Sequence, residues 1–260
     1  MLIKYSKFKS NIHDSVALDK TTKQFISSVE KYLKCKMQYS DDIADYDCDL
    51  KLIYVESGGS EIYFLRDFKK MKPPYLFITS GANNSLPASL EILTYLNLHH
   101  YPAELLHGSP QFIAKRINEL VLLNRLRNEL KKQRFGVIGQ PSDWLIASIP
   151  NYQTVKKMFG VTLINIPMTE VINLAKKVSK RNTFNIQGKF NQQELLKANR
   201  VYQALEQIVK KHHLTGLTTR CFDLLSSLKT TACLALAEFN DQKIIATCEG
   251  DVAAMLSMKI

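Results

Sequence analysis

The sequence has no run of about 20 consecutive apolar residues, so it offers no membrane helix. Its first ten residues, Met1-Leu-Ile-Lys-Tyr-Ser-Lys-Phe-Lys-Ser10, contain no apolar core of the kind a secretory signal needs. There is no C-x-x-C pair among the five cysteines, Cys35, Cys48, Cys221, Cys233 and Cys248. An odd, widely spread set argues against a disulfide framework and a zinc ribbon, and for a reducing compartment. The glycines form neither G-x-G-x-x-G nor G-x-x-x-x-G-K-[ST], which removes the standard dinucleotide and P-loop readings. No G-x-S-x-G elbow and no H-E-x-x-H pair is present, so a serine hydrolase or zinc peptidase has no anchor. These absences describe a soluble, cytoplasmic chain with no membrane partner.

What is present is ordinary globular material in quantity. The chain has 260 residues, 45% hydrophobic and 23% charged, enough to bury one large or two modest cores. Net charge is +11, from 35 basic and 24 acidic side chains. The basic residues are scattered as pairs along expected helices (Lys115-Arg116, Lys176-Lys177, Lys210-Lys211) without interleaved aromatics. That pattern favours solvated helix faces over a nucleic-acid footprint, and no nucleic-acid partner is expected.

Apolar periodicity predicts strands alternating with helices. Residues 18–33 carry Phe25, Ile26, Val29 and Leu33 at helical spacing. Residues 50–55 and 75–79 are short buried strands, each ended by glycine, and residues 105–106 are a third candidate. Helices are predicted over residues 86–98 and 110–132, with Asn83 or Asn84 suited to cap the first. After the basic stretch Lys131-Lys-Gln-Arg134 the pattern restarts. Residues 135–139 and 161–166 read as strands, while residues 152–159, 167–178 and 191–213 read as helices. Residues 182–188 read as a polar loop. Residues 233–237 and 243–247 read as two strands around an Asn240-Asp241 turn. The expected fold class is therefore α/β, with tandem Rossmann-like three-layer domains on parallel sheets. The expected domains are 1–132 and 133–242, with 243–260 as the first elements of an incomplete third. His99-His100 and His212-His213 are adjacent pairs whose side chains diverge by about 100° on a helix, which suits helix-end cations better than a shared metal.

The densest chemistry lies near the end of the chain. Arg220-Cys-Phe-Asp223 and Thr247-Cys-Glu-Gly-Asp251 place Asp223 and Asp251 beside expected strand ends, where open α/β sheets bind ligands. Gly250, between Glu249 and Asp251, permits a sharp turn that can aim both acids into one crevice. Hard carboxylate oxygens suit Mn²⁺ or Mg²⁺. Asp251 equally suits the N-cap of a helix over residues 252–258. Trp144 can stack on a sugar face or pack in a core, and Glu170 suits the first turn of a helix.

The stretch from Thr231 through Asn240-Asp-Gln-Lys-Ile-Ile-Ala-Thr-Cys-Glu-Gly-Asp251 to Met258 resembles the L-fucose isomerase-like family, related to L-arabinose isomerase. Val55-Glu-Ser-Gly-Gly-Ser-Glu61, Asn84-Ser-Leu-Pro-Ala-Ser-Leu-Glu91 and Gly136-Val-Ile-Gly-Gln-Pro-Ser-Asp-Trp-Leu-Ile-Ala-Ser148 agree with it in order along the chain. The resemblance implies a metal-dependent aldose–ketose isomerase acting through an enediol on a small-molecule sugar, with Mn²⁺ as cofactor. By position it implies Asp251 and Asp223 as catalytic metal ligands, although the family carries glutamate where Asp223 stands. Ser142 and Trp144 are the implied substrate-binding residues. Family members are longer and take a third ligand, a histidine, from a C-terminal domain, whereas none of the six histidines here follows residue 213. The expectation is an incomplete isomerase, a homo-oligomer that is either C-terminally truncated or completed by a separate C-terminal chain. The alternative is a non-catalytic sugar-binding or assembly module on the same fold.

Overall fold

Among the described residues every strand pairing is parallel, and two sheets account for all of them. The structure is a computed structural model describing residues 1–11, 15–178, 184 and 189–260. Most of the polar loop expected at 182–188 lies outside the described residues. The chain divides into two units, Met1–Arg125 and Leu126–Ile260.

In the first unit, β1 (Ile3–Phe8), β2 (Met37–Tyr39), β3 (Leu50–Val55), β4 (Tyr75–Ile78) and β5 (Ala103–Leu106) stand in the order β2-β1-β3-β4-β5. All six residues of β3 are buried, as a central strand covered on both faces requires. Its side chains alternate between two cores. Leu52 and Tyr54 join Ile26, Val29 and Leu33 of α1 (Ser15–Leu33) and Ile113, Ile117 and Val121 of α4 (Pro110–Lys131). Ile53 and Val55 face Phe64 of α2 (Glu61–Asp67) and Ala88, Ile92 and Leu96 of α3 (Ser85–Leu98). The period of two along the strand thus serves both helix layers. Asn84 holds the N-cap position of α3 in a left-handed backbone but makes no side-chain cap bond.

The second unit repeats the plan. β6 (Arg134–Ile138), β7 (Thr162–Ile166), β8 (Gly216–Thr219) and β9 (Ile245–Cys248) stand in the order β7-β6-β8-β9. Phe135 and Val137 point toward Leu130, Val155 of α5 (Tyr152–Phe159) and Val252, Met255 and Leu256 of α10 (Val252–Lys259). Ile138, Leu217 and Ala246 belong to the opposite core. There they join α6 (Met168–Lys177), α7 (Gln192–His212), α8 (Asp223–Leu228) and α9 (Cys233–Asp241). Residues 243–260 contribute β9, which pairs with β8 in this sheet, and α10, which covers one of its faces.

One expected strand is a helix. Residues 233–237 open α9, because Ala235, Leu236 and Phe239 recur at helical spacing and are the residues it buries. Parallel β8 and β9 also need a crossover, which a hairpin around Asn240-Asp241 could not provide. Asn240 instead fastens the helix to the next strand, accepting from Ala246 N at 3.0 Å and donating to Ala246 O at 2.8 Å. Among the described residues, no helix is long and apolar enough to cross a membrane.

Candidate functional site

In the second sheet β6 is followed on one side by β7 and on the other by β8, so the strand order reverses beside β6. Such a reversal leaves a crevice beyond the carboxyl ends of the strands. Here the ends are stitched before they diverge. Gly139 N donates to Ile166 O at 2.9 Å, and Arg220 N donates to Ile138 O at 3.0 Å. A cavity of about 690 Å³ opens at this edge, lined by Pro141, Tyr152, Asn165, Met168, Arg220 and Asp223 among others. Its size suits a monosaccharide-class ligand.

Residues 139–151, between β6 and α5, form one wall, and two groups hold this segment. Arg220, just past β8, donates through Nη1 and Nη2 to Asp143 at 3.1 and 2.7 Å. Its Nη1 also reaches Pro141 O at 3.3 Å, and its Nε donates to Asp223 Oδ1 at 3.1 Å. The paired hydrogen bonds use the guanidinium's fixed fork. The Arg220 guanidinium holds the Asp143 carboxyl below the usual carboxylate range, and Asp143 in turn raises Arg220.

Glu249, just past β9, is the second group. Its main-chain oxygen accepts from Ser142 N at 2.8 Å, and its carboxylate accepts from the Trp144 indole N–H at 2.9 Å. The turn that aims Glu249 inward is left-handed at two successive residues, with φ of 65° at Glu249 and 69° at Gly250. A Cβ on Gly250 would come within 2.7 Å of Pro141 Cα and 2.8 Å of Gln140 O, so only glycine lets the two segments meet.

The structure treats the four expected site residues differently. Asp223 lines the cavity, half-exposed, with one oxygen on Arg220. Asp251 is the N-cap of α10, its Oδ1 accepting from Ala254 N at 2.9 Å. Ser142 is fully buried, with a hydroxyl that has no hydrogen-bond partner, and is absent from the cavity lining. Trp144 is 52% exposed, so it is no core residue, and its ring meets Phe222 edge-on at 5.9 Å. Arg220, Asp143 and Glu249 organise this edge, although none is among the four expected site residues. All three lie inside quoted motifs, but nothing in the sequence distinguishes Arg220 among 35 basic residues.

Each of the two expected Mn²⁺ ligands is hydrogen-bonded within the chain. Asp223 is tied to Arg220 and Asp251 to a helix amide. Among the described residues no group of three or more His, Cys, Asp and Glu side chains comes together as a ligand set. Glu170, in the first turn of α6, also lies apart from this cavity. It pairs with Lys211 at 2.7 Å, which lowers its pKa, and faces His212 at 3.4 Å.

No protein-family model matches the chain. Over 190 residues it is 23% identical to proteins of Priestia aryabhattai and Priestia megaterium, covering 68% of this chain and 42% of each relative. A protein of Alkalicoccus urumqiensis is 22% identical over 190 residues, 68% of this chain and 43% of its own length. Each of these relatives is named sulfoquinovose isomerase. The chain spans less than half the length of the curated relatives it matches. A sugar isomerase name agrees with the class of the resemblance read from the sequence, but the relatives do not carry the narrower L-fucose name.

Proposed function

We propose that this chain provides the sugar-binding sheet edge of an aldose–ketose isomerase. The observation that carries the reading is the cavity at the strand-order reversal of the second sheet, where a carboxylate and a guanidinium lie side by side. The names of the relatives supply the reaction class. Sulfoquinovose is the first sugar to test, and L-fucose and L-arabinose are the next.

Aldose–ketose isomerisation removes a proton from the carbon beside the carbonyl and returns one to the neighbouring carbon. The intermediate is an enediol, whose oxygen carries developing negative charge. A carboxylate within reach of the carbon-bound proton can act as the base, and a fixed cation lowers the cost of the developing charge. In this reading Asp223 is the base, through the oxygen not engaged by Arg220. Arg220 faces the enediolate oxygen, and Asn165 and Tyr152 help orient the sugar. Asp251 acts at a distance, by fixing α10 and the Glu249-Gly250 turn. No step is routed through Mn²⁺.

A second reading has its own support. Asp223 is held by Arg220 and Asp251 by its helix, an arrangement that equally suits a non-catalytic sugar-binding module. Incubation with each sugar in deuterium oxide, with and without Mn²⁺, separates the two. Deuterium at the first carbon of the ketose formed supports the isomerase. Binding of a sugar without exchange supports the module. Neither binding nor exchange would remove both.

A further inference from the structure

Two cysteines, neither used in the reading above, meet at the same sheet edge. Cys248 is the last residue of β9, and its register partner is Thr219, the last residue of β8. Cys221 follows two residues later and turns back, so that the two sulfurs stand 2.8 Å apart. Cys221 is buried and Cys248 is partly exposed. Each is adjacent to one of the two groups that hold residues 139–151: Cys221 follows Arg220, and Cys248 precedes Glu249.

We propose that Cys221 and Cys248 are a redox-modification site, a dithiol that closes reversibly to a disulfide and thereby locks the two supports of the cavity wall together. Closing the sulfur gap to about 2.05 Å takes a movement of under about 1 Å, within side-chain rotation.

The chemistry balances with a peroxide as oxidant. The partly exposed Cys248 thiolate attacks one peroxide oxygen, breaking the O–O bond, and becomes a sulfenic acid while the other oxygen leaves as water after taking up a proton. The Cys221 sulfur then attacks the Cys248 sulfur, the S–OH bond breaks, and a second water leaves with the Cys221 proton. Two thiols lose two electrons and two protons, and hydrogen peroxide is reduced to two waters. A low-molecular-weight thiol reverses the change by exchange, two thiols being oxidised to their own disulfide as the protein dithiol is restored. The order of events follows from exposure, since Cys221 is buried and Cys248 is partly open to solvent. Cys221 therefore resolves, and Cys248 meets the oxidant.

The chain carries its own reporter. Trp144 is the only tryptophan, bonded to Glu249 beside Cys248 and packed on Phe222 beside Cys221. The full chain would be treated with hydrogen peroxide, alkylated, digested without reductant and mapped by mass spectrometry. The expected result is one linked species joining the Cys221 and Cys248 peptides, lighter by two hydrogen atoms, with Cys35, Cys48 and Cys233 alkylated. Tryptophan emission should shift with the same time course, return on adding dithiothreitol, and stay constant in C248S. A link from either cysteine to Cys233 would overturn the proposal, as would irreversible sulfinic acid at Cys248 with no link. The mapping needs only the unaltered protein, so poor folding of C248S leaves it decisive.

Discussion

The two sheets share one plan and end differently. In each unit the first strand in its central position is flanked by the second on one side and the third on the other, so each has the same reversal and the same crevice-forming edge. At the first edge, short side chains fold inward. Ser57, Ser60, Thr79, Ser85 and Glu56 are all buried there. Thr79 Oγ1 donates to Ser85 Oγ at 2.6 Å, Ser60 Oγ donates to Ser57 O at 2.8 Å, and Gly58 N donates to Asn83 O at 2.8 Å. Glu56 accepts from Thr22 Oγ1 at 2.6 Å and from Lys7 Nζ at 3.4 Å. At the second edge the corresponding wall is residues 139–151, held by the side chains of Arg220 and Glu249 around a cavity. Topology supplies the place in both units, and the residues just past the strands differ in what they build there.

Breaking the second edge at its tightest point gives the largest effect. Gly250→Ala meets backbone at 2.7 Å in a left-handed conformation, and should destabilise the chain by about 3 kcal/mol in urea unfolding while abolishing sugar binding. At the first edge, Thr22→Val removes a donor from a buried carboxylate. Thr22→Val should cost about 1–3 kcal/mol in the same measurement and leave sugar affinity unchanged. Arg220→Met reverses that pattern. It should weaken sugar binding by about tenfold in calorimetry with only a small change in unfolding midpoint, and Arg220→Lys should fall between, since lysine lacks the fork.

A pH series sharpens the comparison further. In the first unit the Arg125 guanidinium, with the Leu2 amide, holds Asp49 at about 2. The folded value lies below the unfolded one, so this contribution is complete above about pH 4 and is lost as pH falls toward 2. Asp49→Asn should therefore flatten the acid limb of the unfolding curve and change little near neutrality. The smallest effect is expected from the metal. With Asp223 and Asp251 already engaged, millimolar Mn²⁺ should move the thermal midpoint by less than about 1 °C.

Long periodic segments were legible in the sequence. The faces of α1 and α7 follow from apolar spacing alone, and β3 and β4 from short buried runs bounded by glycine. β8 escaped because Gly216-Leu-Thr-Thr219 has no alternation to read. The Ala and Leu alternation of residues 233–237 mimics a strand, and only the recurrence through Phe239 gives the helix away. The carboxylates were visible as strand-end residues. Their partners were not, since Asp223 meets Arg220 one helical turn back while Arg220 meets Asp143 across 77 positions. Of the two roles open to Asp251, the structure displays the cap.

The central claim is that the second edge, and not the first, receives the sugar. Amide resonances followed by NMR during titration with sulfoquinovose, L-fucose and L-arabinose test it most directly. Shifts concentrated at residues 139–145, 165–168 and 220–223 are expected with at least one sugar, with quiet signals at residues 57–60 and 79–85. Shifts at the first edge alone, or none with any of the three, would contradict it.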